Sequence, residues 1–468
     1  MRRALALLAA VSLSSCAVGP NYKRPPVAVP PAYYGAEQAA EARSLADVPW
    51  WEVFQDPVLE GLVDEALRNG FDARLAAARV EEARALYGVA KGDLLPGIGY
   101  QGGFERERRD QVLDPKQTIL TSWTAKVGFQ WELDLWGRIR RQTEAARAQY
   151  LATEEARRGV LLSLISDVAI AYFELRELDA ELAIAQRTTA AFQDTYDLFD
   201  RRLQGGAASA LETKRAEASL GQVAAQIPEI ERAIVAKENQ INLLLGRSPR
   251  TIPREGPLAP TPPDVPPGLP ASLLERRPDV RQAEDQLVAA NAGIGAAKAN
   301  FFPTLTLTGF FGNVSPELGE LFSKGKTWNF DAGLFGPIFQ AGRIKKNYEA
   351  AKARYDAARV EYEAAVTRAL SEVSGALVDR TKLVETERQR ARTVNAYQEA
   401  VRLANLRYTS GLSAYFEVLD AQQQLFPAEI SLAQTHRDQL VAVVSLYKAL
   451  GGGWQARRAP PAPPSSPP

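Results

Sequence analysis

The chain has 468 residues, with 56 basic and 56 acidic side chains, one histidine and one cysteine. This balance, without a basic block, excludes the electrostatic surface that nucleic acid requires. No nucleophile with a base, phosphate-binding loop or Cys/His cluster occurs, so we expect neither an enzyme nor a metal or other cofactor site. A single cysteine also excludes an intrachain disulfide framework.

The N-terminus has the pattern of an export signal. Two arginines precede the apolar run 4–13, and small residues follow it. A charged region, a short apolar region and small residues are typical of a cleaved leader. We therefore predict a signal peptide over residues 1–15.

Cys16 follows the predicted leader directly. The segment Leu13-Ser14-Ser15-Cys16 resembles the lipobox of bacterial lipoproteins. This resemblance implies a diacylglyceryl group and an N-acyl chain such as palmitate on Cys16. The residue after it, Ala17, implies sorting to the outer membrane. The alternative is an ordinary leader that happens to end near a cysteine.

Three proline-rich segments divide the rest of the chain. The first lies within residues 16–50, which we interpret as an extended, lipid-anchored segment. The second, 253–270, is a linker between two halves, and the third, 454–468, is a disordered tail.

The two halves repeat each other. Residues 123–246 recur at an offset of 205, and a shorter stretch upstream recurs at an offset of 207. We predict structural repeats over 51–252 and 271–453, packed side by side. The matches include Trp123/Trp328, Gly137/Gly342, Arg202/Arg407, Gly206/Gly411, Glu212/Glu417 and Gly246/Gly451.

Each repeat opens with a helix and two strands. Ala-rich segments follow Asp72 and Asp279, which are good N-cap residues. Strict alternation of apolar and polar residues from Trp123 to Leu135 predicts a strand with one apolar face. Weaker alternation elsewhere places the strand pairs at about 96–136 and 303–340.

Four strands of about ten residues with aromatic ends are typical of a transmembrane barrel. The alternative is a pair of exposed hairpins in a soluble sandwich. In lipid, an open edge leaves backbone groups unpaired at several kcal/mol each, so we expect several chains to share one barrel. Two copies would give eight strands filled by side chains, whereas three would give twelve and leave a lumen.

Residues 138–203 and 343–408 contain no proline and one glycine each. About 65 residues at about 1.5 Å each would give helices close to 100 Å long. Glycine-containing turns follow, and a return helix leads to the end of each repeat. We predict coiled-coil hairpins over 138–247 and 343–451.

Taken in order, these features resemble one family. Cys16 is followed by Trp50-Trp51, by Asp134-Leu135-Trp136-Gly137-Arg138, and by the motif from Leu273 to Arg281. This order resembles the TolC-like outer-membrane efflux channel lipoproteins of the NodT-type branch. The resemblance implies a mixed α and β fold with a twofold internal repeat. It also implies a homotrimer whose twelve-stranded transmembrane β-barrel, four strands per chain, continues into an α-helical periplasmic barrel.

The function implied by this resemblance is the exit duct of a tripartite efflux pump, which passes drugs and other small molecules out of a Gram-negative cell. The implied partners are a periplasmic adaptor and an inner-membrane resistance-nodulation-division transporter. One alternative is a type I protein secretion duct. The other is a lipid-anchored coiled-coil scaffold without a pore.

The same resemblance implies a periplasmic gate at the second hairpin tip, formed by Tyr408, Phe416, Glu417 and Asp420. Phe416 and Asp420 are four residues apart, so they share a helix face. Around a trimer axis, Phe416 would form an apolar ring, and Glu417 and Asp420 would form acidic rings that favour cations. Tyr408 with Glu212 is a candidate tie between hairpins. The alternative is a solvated helix end with ordinary charges.

The tip turns are the implied contact with the adaptor. The matching residues are Gly206 and Ala207 in the first repeat, and Gly411 and Leu412 in the second. The alternative is that the glycines only end helices.

Overall fold

The computed structural model describes residues 17–35, 44–49, 53–108, 119–254 and 268–452. The predicted signal peptide, Cys16, Trp50-Trp51, most of the linker and the tail lie outside the described residues. Among the helices that are described, none is both long and apolar enough to cross a membrane.

The helices and strands follow the order expected for a repeated unit. They are α1 Pro57–Asn69, α2 Phe71–Gly92, β1 Gly97–Glu107, β2 Leu120–Leu133, α3 Arg138–Gln204, α4 Ala210–Ala224, α5 Gln226–Leu244, α6 Pro278–Ala299, β3 Thr304–Ser315, β4 Lys326–Phe335, α7 Arg343–Thr409 and α8 Phe416–Ala449. Single helical turns lie at Leu45–Asp47, Pro270–Ser272, Leu273–Arg276, Leu318–Glu320 and Leu321–Lys324.

The backbone repeats as the sequence does. The two long helices, α3 and α7, have 67 residues each. Six glycines with positive φ angles fall into three pairs at the offset of 205, and their φ values lie between 70° and 81°. The pairs are Gly137 with Gly342, Gly206 with Gly411, and Gly246 with Gly451.

Two details differ from the sequence prediction. Asp72 and Asp279 lie in the first turns of α2 and α6, not at their N-caps. Pro278 has the fixed φ of a first helical residue, so α6 begins one residue before Asp279. The return helix of the first repeat is split at Ala225 into α4 and α5, whereas α8 is continuous.

The chain forms two compact units, and each combines segments of both repeats. Among the described residues, the first contains 17–26, 79–108, 119–154 and 282–364. The second contains 27–35, 44–49, 53–78, 155–254, 268–281 and 365–452. The repeats are therefore interleaved in space, so that the sheet of the first unit takes two strands from each.

The sheet is antiparallel in the order β1-β2-β3-β4, so β1 and β4 are its edges. Cross-strand pairs place apolar side chains on one face, as in Tyr100 with Val127 and Phe311 with Trp328. The opposite face carries polar and small residues, as in Gln130 with Thr308. The predicted alternation of apolar and polar residues thus gives the sheet one apolar face and one polar face.

The passage from β2 into α3 is fixed by side chains. The Asp134 carboxylate accepts hydrogen bonds from the N–H groups of Ile139 and Arg140, at 3.1 and 2.8 Å. Trp136 Nε1 donates to the Pro303 carbonyl at 2.7 Å. The two bonds to Asp134 satisfy amides of the first helical turn, and the Trp136 bond joins the passage to the residue before β3. Together they set the direction in which α3 leaves the sheet.

The N-terminal segment is docked on the first unit. Val18 N–H donates to the Trp136 carbonyl at 3.0 Å. Arg141 donates to Asn21 Oδ1 at 2.8 Å, and Arg24 binds both oxygens of Glu284 at 2.6 and 2.7 Å. An irregular segment held at several successive residues is fixed in position, although it contains the prolines typical of a spacer.

The second unit contains a pair of neighbouring carboxyl groups, one of which, Glu177, is buried. Glu177 and Glu181 lie one turn apart on α3, where Gln434 of α8 donates to Glu181 at 2.8 Å. Arg437 Nη1 lies 3.7 Å from Glu177, and its Nε is bound to Asp438 at 2.7 Å. Burial, with the hydrogen bond from Glu181 and its charge, raises the pKa of Glu177 to about 8.

A raised pKa makes stability depend on pH. The folded chain retains a proton that the unfolded chain releases, so this stabilisation is complete below the unfolded pKa and is lost as the pH approaches 8. We expect the denaturation midpoint to fall between about pH 5 and pH 9, and Glu177→Gln, which stays neutral, to flatten that fall. Exposed Glu399→Gln is the control. A slope unchanged by Glu177→Gln would contradict this assignment.

Candidate functional site

The two hairpin tips of one chain are packed together by an apolar core, the tip cluster. It joins α3 and α4 of the first hairpin to α7 and α8 of the second. Its buried members are Phe192, Phe199, Ala216, Val223, Ala404, Tyr415, Val418 and Leu419. The tips are thus held to each other by burial of apolar surface.

Tyr415 links the two hairpins at the centre of the tip cluster. Its ring meets Phe199 edge-on at 4.7 Å and Tyr408 at 5.0 Å, and its hydroxyl lies 2.7 Å from Thr195 Oγ1. Edge-to-face aromatic pairs add to the free energy gained by burial. Burial also raises the pKa of Tyr415, so the hydroxyl stays protonated and can donate.

Both long helices end in the same turn. Ala207 N–H bonds to the Arg202 carbonyl at 2.8 Å and Gly206 N–H to Leu203 at 3.0 Å, and the second repeat has the same pair from Leu412 and Gly411. This is the Schellman arrangement, in which a glycine with positive φ ends the helix. The helix-ending role of these glycines is therefore present, while the adaptor contact stays a prediction.

The candidate gate residues of α8 lie together on the exposed side of its first turns. Phe416 is 58% exposed, and Glu417 and Asp420 are exposed with it. Val418 and Leu419, which lie between Glu417 and Asp420 in the sequence, are buried in the tip cluster. The chain thus presents one aromatic ring and two carboxylates on a face that its own core does not use.

Arginines contact three of the four candidate gate residues of the second hairpin. Arg202 donates to the Tyr408 hydroxyl, with its guanidinium 5.4 Å from the ring centroid. Arg215 lies 5.6 Å from the Phe416 ring centroid, and Arg407 lies 3.4 Å from Glu417. Within the described ranges, Asp420 forms no ion pair.

Glu212 has a local partner. It accepts from the Ser209 N–H at 2.9 Å and from its hydroxyl at 3.0 Å, which closes a capping box at the start of α4. These bonds hold the pKa of the Glu212 carboxyl below its usual range. Within one chain, therefore, Tyr408 is bound to Arg202 and not to Glu212.

Sequence reasoning gave no role to Arg202, Arg215, Tyr415 or Thr195. The match between Arg202 and Arg407 in the two repeats could have pointed to a role for Arg202 at the tip, because both arginines occupy the helical turn before a tip glycine. The hydrogen bond between Tyr415 and Thr195 gave no such signal, since the two residues lie 220 positions apart in the chain.

The structure also bears on the single histidine. His436 Nδ1 lies 3.2 Å from Glu387 Oε1. No group of three His, Cys, Asp or Glu side chains that could hold a metal ion occurs in the described part of the chain.

Comparison with known proteins identifies the family. Residues 62–247 and 269–452 each match the family model described as outer membrane efflux protein. The chain belongs to the outer membrane efflux protein family. The two matched segments correspond to the two repeats.

Individual members of the family are similar over nearly their whole length. The solvent efflux pump outer membrane protein SrpC of Pseudomonas putida is 36% identical, with 97% of this chain and 98% of SrpC covered. The outer membrane protein OprJ of Pseudomonas aeruginosa is 36% identical, with 97% and 96% covered. The open-state outer membrane channel MtrE of Neisseria gonorrhoeae is 32% identical, with a TM-score of 0.85 over 94% of this chain and 99% of MtrE.

These likenesses confirm the predicted fold class, the predicted function and the predicted location in the outer membrane. The chain is an efflux channel of the Gram-negative outer membrane, with a mixed α and β fold. Its family consists of transport conduits and not of enzymes.

Proposed function

We propose that three copies of this chain close one twelve-stranded barrel and continue it with their long helices. The observation that carries this proposal is the four-stranded sheet, whose edge strands β1 and β4 have no further partner strand among the described residues. Ile98, Tyr100 and Trp328, on or near these edges, are 77%, 91% and 75% exposed in one chain. A lipid-facing sheet of this kind needs copies of itself to pair its edges.

In this assembly the apolar face contacts lipid and the polar face lines the lumen. The channel acts as a passive exit for small molecules such as drugs or solvents. A periplasmic adaptor and an inner-membrane resistance-nodulation-division transporter deliver them. No residue needs to perform catalysis, since the transporter supplies the energy.

Cys16 carries the lipid anchor in this proposal. A Cβ added to Gly137 would lie 2.6 Å from the Cβ of Ala17, so the residue after Cys16 sits at the passage from β2 to α3. A lipid there would enter the bilayer beside the rim of the sheet. Mass spectrometry of the purified protein tests this: an unmodified mature N-terminus would reject it.

The gate consists of the exposed α8 face. Around a threefold axis, Phe416 gives an apolar ring, and Glu417 and Asp420 give acidic rings that favour cations. Asp420 supports this assignment because it is exposed and has no ion-pair partner among the described residues. Arg202 and Arg215 hold the aromatic gate residues against the first hairpin.

Planar bilayer recording tests the channel and its gate together. Heat-sensitive trimers in detergent and discrete conductance steps are expected for the wild-type protein. Replacing both Glu417 and Asp420 with alanine should raise leak or weaken cation selectivity while trimers persist, because the fixed negative charge is lost. Glu399→Ala, on the exposed surface of α7, is the control. Monomers without conductance would reject the channel assembly, and unchanged leak together with unchanged selectivity would reject the gate.

The tip turns, with Gly206, Ala207, Gly411 and Leu412, form the adaptor contact. Leu412 is 71% exposed, and a Cβ added at Gly206 or Gly411 would meet no atom within 4 Å. The open space and the exposed leucine are therefore available to a partner.

Leucine substitutions separate docking from helix capping. Leu412→Glu should abolish efflux in cells while trimers still form, because the side chain contributes little to its own fold. Leu406→Glu, at a site on α7 that is 56% exposed, should leave efflux intact. Equal effects of the two variants on drug susceptibility would count against docking at the tip.

A further inference from the structure

The polar face of the sheet contains a concavity of about 710 Å³ that reaches all four strands. Glycines make room for it, since Gly97 and Gly99 of β1 and Gly128 of β2 line it together with Phe310. Tyr100 and Phe129 also line the concavity, but the register places them on the apolar face of the sheet. Phe310 is the lining aromatic residue on the polar face, opposite Gly128 and Asn329.

Lys126 completes the feature. Its ammonium lies 4.3 Å from the centroid of the Phe310 ring, within the range of a cation–π contact. No carboxylate lies within ion-pair distance of Lys126 in the part of the chain that the structure describes. The concavity thus presents a cation with free hydrogen-bonding capacity beside an aromatic ring.

A second charge lies on the other side of the ring. Lys126 pairs with Gly312 and Asp331 pairs with Thr308, the positions two residues after and two before Phe310 on β3. The two charges therefore lie on opposite sides of Phe310 along the strand. An anionic group is favoured on the Lys126 side and opposed on the Asp331 side.

We propose that Phe310 and Lys126 form a subsite for aromatic carboxylates in the wall of the pore. The ring of the solute stacks on or beside Phe310, and its carboxylate pairs with Lys126. Gln101 and Gln130, which also line the concavity, are available to its polar groups. The subsite rests on the proposed function, because it takes the polar face of the sheet as the lumen wall.

Block of single-channel conductance by benzoate tests the subsite. In the wild-type channel, benzoate should reduce conductance more than cyclohexanecarboxylate, which carries the same charge without an aromatic ring. Phe310→Leu and Lys126→Gln should each raise the benzoate concentration for half block by about three- to tenfold. Asp331→Asn should lower that concentration, because a repelling carboxylate is removed.

Lys326→Gln is the matched control, because Lys326 pairs with Asn313 on the other face of the same sheet. Its benzoate block should equal that of the wild-type channel. Conducting channels in which Phe310→Leu and Lys126→Gln leave the block unchanged would overturn the subsite alone. A protein that forms no conducting channel would instead overturn the proposed function. Trimers of each variant on a non-denaturing gel establish that folding is retained.

Discussion

Replacing Arg277 with alanine is expected to lower the free energy of unfolding by about 1.5–3 kcal/mol, because a buried cation that donates charge-assisted hydrogen bonds to two carboxylates and a carbonyl is lost. The Arg277 side chain is 8% exposed. It binds both oxygens of Asp279 at 2.9 and 2.6 Å, Glu372 at 2.7 Å and the Ala449 carbonyl at 2.9 Å. The side chain thereby joins the start of α6 to α7 and to the end of α8.

Arg276 provides a neighbouring control. Its side chain is 32% exposed and pairs with Asp47, which is 46% exposed. Arg276→Ala should cost only about 0–1 kcal/mol, the range for exposed ion pairs. Chemical denaturation in one detergent, followed by helical circular dichroism, compares the two variants. Equal midpoints for Arg276→Ala and Arg277→Ala would show that Arg277 does not join these elements.

Phe199→Ala is expected to destabilise the second unit by about 3–5 kcal/mol, the cost of a large-to-small change in a core. Phe199 is 3% exposed and meets Tyr415 across the two hairpins. Because the tip cluster holds the hairpins together, its loss should also loosen the gate. We expect a lower thermal midpoint and a larger leak current in planar bilayers.

Leu203 lies one turn further along α3 and is 36% exposed. Leu203→Ala should therefore change both the thermal midpoint and the leak much less. Tyr415→Phe keeps the aromatic packing and removes only the hydroxyl near Thr195, so its effect should lie between the two. If the Phe199→Ala channel had the leak current of the wild-type channel, the tip cluster would not contribute to closure of the gate.

The sequence predicted most of the fold because its signals are local. Alternation from Trp123 to Leu135 predicted a strand with two different faces, and the sheet has them. The absence of proline predicted the two long helices, whose bounds in the structure agree with the predicted ones to within about a turn. Such periodicities are set by residues that are close in the chain, so one sequence suffices to find them.

Contacts between distant segments were not predictable in the same way. The N-terminal segment has the composition of a spacer, yet Arg24 binds Glu284, 260 residues away. Likewise, within one chain Arg202 donates to the Tyr408 hydroxyl and Ser209 donates to Glu212, whereas the family resemblance implies Tyr408 with Glu212 as a candidate tie between hairpins. Side-chain partners depend on rotamers and on neighbouring helices, which no periodicity specifies.

By itself, the sequence determined the repeat, the strands, the long helices and the glycine turns, because each follows from spacing along one segment. Only the tertiary structure decided that the repeats interleave in two units, that arginines of the first hairpin hold the aromatic residues of the second, and that Lys126 lies over Phe310. These features depend on free energies of packing between segments far apart in the chain, so they become visible only once the segments are brought together.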